Sequence, residues 1–82
     1  MFEKAYKKLG AALRKQRMER GASQENFAHL MGIARARYGR IERGELNISI
    51  KVLFTCAGRL NMKPADLLDD ISVDDCFVRF RE

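Results

Sequence analysis

At 82 residues, 46% hydrophobic and 33% charged, the chain has the size and composition of one globular domain, and its net charge of +5 is far from balanced. No apolar run nears the roughly 18 residues of a membrane span, and Met-Phe-Glu-Lys begins without a secretory h-region, so a cytoplasmic location is expected. Cys56 and Cys76 lack CxxC spacing and His29 is the only histidine, which predicts free thiols and neither metal nor other cofactor. No nucleophile–base pair, carboxylate dyad or phosphate-cradling loop is present, so an enzyme is not expected.

Phe2, Ala5, Tyr6, Leu9, Ala12 and Leu13 recur at three- and four-residue steps, which predicts an amphipathic helix from about residue 3 to 20, stopped by Gly21. Ser23 is placed to cap a second helix, with Phe27, Ala28, Leu30 and Met31 on its buried side and Gly32 at its end. A third short helix runs from Ile33 to Arg43 and stops at Gly44. Ser49 caps a fourth, about 50 to 60, with Ile50, Leu53, Cys56, Ala57 and Leu60 as its apolar stripe. Pro64 suits the first turn of a fifth, where Asp66 faces the helix dipole and Leu67, Leu68 and Ile71 point inward. Met18, Met31 and Met62 read as core filler, and His29 as an exposed residue. From Cys76 to Arg81 the pattern changes to a strand-like alternation. These elements predict an all-α, compact five-helix bundle over residues 1–71 and a C-terminal extension over 72–82.

Charge follows the same division. Residues 1–63 hold 14 Lys+Arg and 5 Asp+Glu, a balance of +9; residues 64–82 hold 2 and 6, a balance of −4. A basic body suits a polyanion, because each neutralised phosphate releases condensed counterions. On a helical wheel Tyr38, Ile41 and Glu42 share the inward face of the third helix, while Ala36, Gly39, Arg40 and Arg43 face out and Arg35 and Arg37 flank its N-terminal end. Gly39 on the outer face would permit close approach to a duplex. An arginine fork matches guanine O6 and N7.

Two short helices joined at Gly32, with hydrophobes turned inward, have helix-turn-helix spacing. The stretch Leu9 to Leu68 resembles the phage-repressor/Cro (XRE) helix-turn-helix family, lambda-repressor-like in fold. The residues that carry the resemblance are Leu13-Arg14 and Arg17, Gly21-Ala22-Ser23-Gln24, Phe27-Ala28, Gly32-Ile33, Ile41-Glu42-Arg43-Gly44, then Asn47 and Ser49. Three positions depart from the family: Ala34 replaces a Ser or Thr cap, Gly39 stands where Ser is common, and Lys63 precedes the fifth helix without a capping oxygen.

The resemblance implies double-stranded DNA as the partner, with the recognition helix at about 34–43. Arg35 and Arg40 are expected to read bases, Arg37 to read a base or clamp phosphate, and Ala36 to lie on the same face. Gln24 is expected at a phosphate or flanking base, and Arg43 and Asn47 on the backbone. It also implies that Arg17 pairs with the inward Glu42. A homodimer reading two half-sites of a palindromic operator through its C-terminal segment follows as an expectation. The competing reading is an antitoxin-type protein-interaction module gripping a toxin-like partner.

Overall fold

The fold was obtained as a computed structural model that describes residues 2–76. Five α-helices and one 3-10 turn lie in this range: α1 Glu3–Glu19, α2 Gln24–Met31, α3 Arg35–Glu42, α4 Ile50–Arg59, α5 Pro64–Leu67 and the turn Val73–Asp75. The chain is all-helical over the described residues.

The core forms where the apolar stripes meet. Leu9 and Leu13 of α1, Phe27, Ala28 and Met31 of α2, Tyr38 and Ile41 of α3, Leu53, Cys56 and Ala57 of α4, then Leu60 and Leu67, pack in one cluster. The Phe27 and Tyr38 rings meet at 5.6 Å between centroids, tilted by 57°, which ties the two helices of the helix-turn-helix together. Helix α1 crosses α3 so closely that a Cβ on Gly10 would collide with the carbonyls of Ile41 and Glu42. Glycine there lets two backbones touch; alanine would push α3 away.

The start signals act locally. The Ser23 and Ser49 hydroxyls accept from the amides of Asn26 and Val52, at 3.0 and 3.2 Å. Lys63 has no capping oxygen, and the Asp66 carboxylate compensates by accepting from the Lys63 amide at 3.0 Å.

Several inward assignments are corrected. Ile50 is 72% exposed, and Leu30, Met18 and Leu68 are exposed as well. Leu30 stands about 100° round the helix from the midpoint of Phe27, Ala28 and Met31, beyond the edge of the buried stripe. Ile50 is the first residue of α4, at the end of its stripe. Met31 lies in the core and Met62 packs against it.

The C-terminal segment leaves α5 and turns back on α1. Asp75 is buried and accepts from Lys8 Nζ and the Ser72 amide, both at 2.8 Å. Residues 72–76 therefore contain a helical turn and not a strand. The alternation expected beyond Cys76 falls on residues 77–82, outside the described residues.

Candidate nucleic-acid interface

The geometry of the helix-turn-helix rests on Gly32. It ends α2 at φ 73°, a left-handed conformation that a side chain resists, and a Cβ there would meet only the distant tip of Arg59. The Ile33 amide then donates back to Ala28 O at 2.9 Å, closing the turn. From α4, Arg59 Nη1 donates to Leu30 O at 2.9 Å, satisfying one of the orphan carbonyls at the C-terminus of α2. Sequence reasoning did not single out Arg59; a basic residue in the last turn of a helix is too common to mark.

A buried ionic lock fixes the inward face of α3. Arg17 Nε donates to Glu42 Oε2 at 2.7 Å and Nη2 to Oε1 at 3.1 Å, a two-pronged contact from α1. Arg17 Nη1 also holds Ala22 O at 3.0 Å. The side chains are 16% and 4% exposed, so the charges are largely out of water. Burial works to raise the Glu42 pKa, but the Arg17 hydrogen bonds, the neighbouring Tyr38 hydroxyl and the Gln24 amide together outweigh it and hold the carboxyl below its ordinary value. Beside this pair the Tyr38 hydroxyl is buried close to Glu42 but short of good hydrogen-bond geometry, and burial, reinforced by the Glu42 carboxylate, pushes its phenol far above the usual range.

Gln24 sits between the two faces. Its Nε2 donates to Glu42 Oε1 at 3.1 Å, so one of its donors is already committed inside the protein. Its Oε1 lies over Gly39, beside Arg43. Gly39 is consequently buried, which corrects its assignment to the open outer face. Gln24 and Arg43 lie where a larger residue would have to fit.

The outer face of α3 presents Arg35, Ala36, Arg37 and Arg40, continued by its C-cap Arg43, all exposed. Ala34 provides no side-chain cap, so the first-turn amides of α3 open onto solvent together with Arg35 and Arg37. At the other end, Gly44 at φ 75° packs on Lys7 of α1, and any Cβ would strike that backbone. Asn47 lies in the following loop, exposed at the rim of a groove with Tyr6 and Ile48. Arg35, Ala36, Arg37 and Arg40 thus share α3 and Arg43 caps its C-terminal end, while Gln24 and Asn47 border it from the helix before and the loop after. Two residues that sequence reasoning passed over join this surface. Lys7 is exposed beside the loop, and Glu45 lies against Arg40 and Arg43.

Among the described residues no group of three or more His, Cys, Asp or Glu side chains could hold a metal ion, and no helix is long and apolar enough to cross a membrane.

Comparison with solved structures places the fold. The restriction-modification controller protein C.AhdI from Aeromonas hydrophila is 37% identical, with a TM-score of 0.70, over 76% of this chain and 94% of that one. The clp gene regulator ClgR from C. glutamicum is 28% identical, with a TM-score of 0.73, over 79% and 83%. A point variant of the restriction-modification controller protein C.Esp1396I is 26% identical, with a TM-score of 0.69, over 79% and 82%. A comparison with curated proteins returned no match. A helix-turn-helix family model, HTH_3, matches residues 13–67, from the middle of α1 to the end of α5. The chain belongs to the helix-turn-helix (HTH_3) family.

Proposed function

We propose that the chain is a DNA-binding transcription regulator that works as a homodimer on a palindromic operator, with α3 as the recognition helix in the major groove. The observation that carries this reading is the two-sidedness of α3. Arg35, Arg37, Arg40 and Arg43 are exposed on one side, while Glu42 on the other is locked to Arg17. A helix held this firmly can present an arginine fork to guanine O6 and N7 with little further ordering. In this reading Arg35 and Arg40 read bases, Ala36 leaves room for close approach, Arg37 reads a base or clamps a phosphate, Gln24 meets a phosphate or a flanking base, and Arg43 and Asn47 hold phosphates. The likeness to C.AhdI, 37% identical over 94% of that chain, favours a restriction-modification controller among the regulators of this family.

The dimer follows from the size of the reading head. One recognition helix spans only about four or five base pairs, and two-fold dimers double this with half-sites one helical turn, about 34 Å, apart. The C-terminal side of the fold offers apolar surface for such a contact. Val73 is 71% exposed, and with Leu68, Ile71 and Cys76 it lines a groove of about 350 Å³ against α1. Ile50 and Phe54, one turn apart on α4, are also exposed.

Selection of bound sites from a random duplex pool tests the proposal in one experiment. The expected product is a two-fold symmetric sequence whose half-sites lie about 10 base pairs apart. Enrichment of an unsymmetric single site would remove the dimer, and no enrichment would remove sequence-specific binding. Light scattering on a chain lacking residues 72–82 checks the interface: a full dimer in that variant moves the contact to α4 and α5.

A further inference from the structure

Glu45 stands out on the basic face because it is an acid where a polyanion would sit. Its Oε2 accepts from Arg43 Nε at 2.9 Å and its Oε1 from Arg43 Nη2 at 3.3 Å. Arg40 Nε lies 3.6 Å from the same Oε1. One carboxylate therefore engages two of the four exposed arginines on α3 and its C-cap. Its position is not loose. The Glu45 amide donates to Arg40 O at 2.9 Å and the Gly44 amide to Ile41 O at 3.0 Å, the paired bonds of a left-handed helix ending. The backbone thus returns Glu45 over the last turn of the recognition helix.

Helix stability does not explain the placement. A carboxylate at a helix C-terminus opposes the macrodipole, and ion pairs between groups this exposed contribute little. The consequence is for what else the arginines can bind. The same contact holds the Glu45 carboxyl below its ordinary value in the free protein.

We propose that Glu45 is a selectivity residue: an internal stand-in for a phosphate that occupies Arg40 and Arg43 in the free protein and must be displaced before either reaches DNA. This rests on the DNA-binding reading above. On a random duplex the displaced carboxylate stays close to backbone phosphates and repels them, by about threefold in affinity for each phosphate within roughly 7 Å in water. On a preferred site the base contacts of Arg35 and Arg40 fix one register, in which the carboxylate can sit away from the nearest phosphates, and the repulsion is reduced. Glu45 then lowers random binding more than specific binding.

The test uses the full chain and three proteins: wild type, Glu45→Gln and Asp69→Asn. Asp69 is an exposed acid just after α5, which packs on α1 and α4, so the last variant reproduces the change in net charge away from α3. Anisotropy titrations against a random-sequence duplex and against the site enriched from the random pool are run over a series of salt concentrations. Glu45→Gln should bind the random duplex about three- to tenfold more tightly at low salt, and the slope of log K against log salt should steepen by about one. Its gain on the enriched site should be smaller, and Asp69→Asn should stay close to wild type on both. An unchanged random-duplex affinity in Glu45→Gln overturns the inference, as does an equal gain in Asp69→Asn or an equal gain on both duplexes, and each leaves the DNA reading standing. No salt-sensitive binding by the wild type overturns both.

Discussion

Two arginine–glutamate pairs sit a few residues apart and look alike by distance, 2.7 Å for Arg17–Glu42 and 2.9 Å for Arg43–Glu45. Their surroundings differ. Glu42 is almost wholly out of water, bonded by Arg17 and Gln24, and joins helices 25 residues apart in sequence. Arg43 and Glu45 are 58% and 46% exposed and only two residues apart. Burial decides what each pair does. The first fixes the orientation of α3, because an uncompensated charge in the interior is very costly. The second is exchangeable with water, salt or a phosphate, so it acts on binding and not on the fold.

The largest effect should come from breaking the buried pair. Glu42→Ala strands Arg17 and is expected to destabilise the fold by about 3–5 kcal/mol. For a domain of this size each kcal/mol is worth roughly 4–8 °C in Tm, so a thermal melt reads it easily. An unchanged Tm would mean that Glu42 is solvated. The pH dependence has a definite sign. The folded Glu42 carboxyl titrates below its ordinary 4.5, so its contribution is present above that pH and fades as pH falls through the folded pKa. Glu42→Gln should flatten the acid side of the stability curve.

On the exposed side, Arg35→Ala and Arg40→Ala should each weaken binding to the enriched site by about ten- to a hundredfold, with a smaller loss on random duplex and no loss of Tm. Equal losses on both duplexes would make these arginines phosphate contacts. Because the Arg17–Glu42 lock lies on the other face of α3, a drop in Tm comparable to that of Glu42→Ala would break the division between the two regions.

The same contrast explains what the sequence made legible. Helical periods, the Ser23 and Ser49 caps and the Gly32 turn are encoded within a few residues, so the five helices could be placed from pattern alone. Glu42 was readable because an acid on an apolar face needs a partner. Side chains at the margin of a stripe, such as Leu30 and Ile50, were not, since their burial depends on where a neighbouring helix ends. Gly39 was assigned to the surface because a wheel cannot show Gln24 and Arg43 folding over it. Glu45 was invisible for the same reason: its pairing depends on the left-handed turn at Gly44. Gly10 left a faint signal, a glycine within the apolar stripe of a long helix, where close backbone approach is the usual reason.

A smaller effect tests the inner edge of the lock. The Tyr38 hydroxyl is buried near Glu42 but short of good hydrogen-bond geometry, while its ring packs on Phe27. Leaving a buried hydroxyl unsatisfied costs about 1–3 kcal/mol, and deleting it removes that cost without removing the ring. Tyr38→Phe is therefore expected to hold or modestly raise Tm. A clear fall would show that the hydroxyl donates to Glu42 in solution and belongs to the lock.

The smallest effect is the one on which the contrast depends most. Glu45→Gln removes a charge that lies 2.9 Å from Arg43, as close as many structural pairs. Both side chains are exposed, the pair bridges no two distant elements, and the helix dipole opposes the acid. The melting temperature should stay at the wild-type value in low and high salt alike. Arg43→Ala should behave in the same way, and the double variant should show no coupling between the two positions. A measurable coupling in stability would place Arg43–Glu45 beside Arg17–Glu42 as part of the fold. Its absence, with a change in affinity for DNA, would separate the pair that holds the recognition helix from the pair that tunes what it binds.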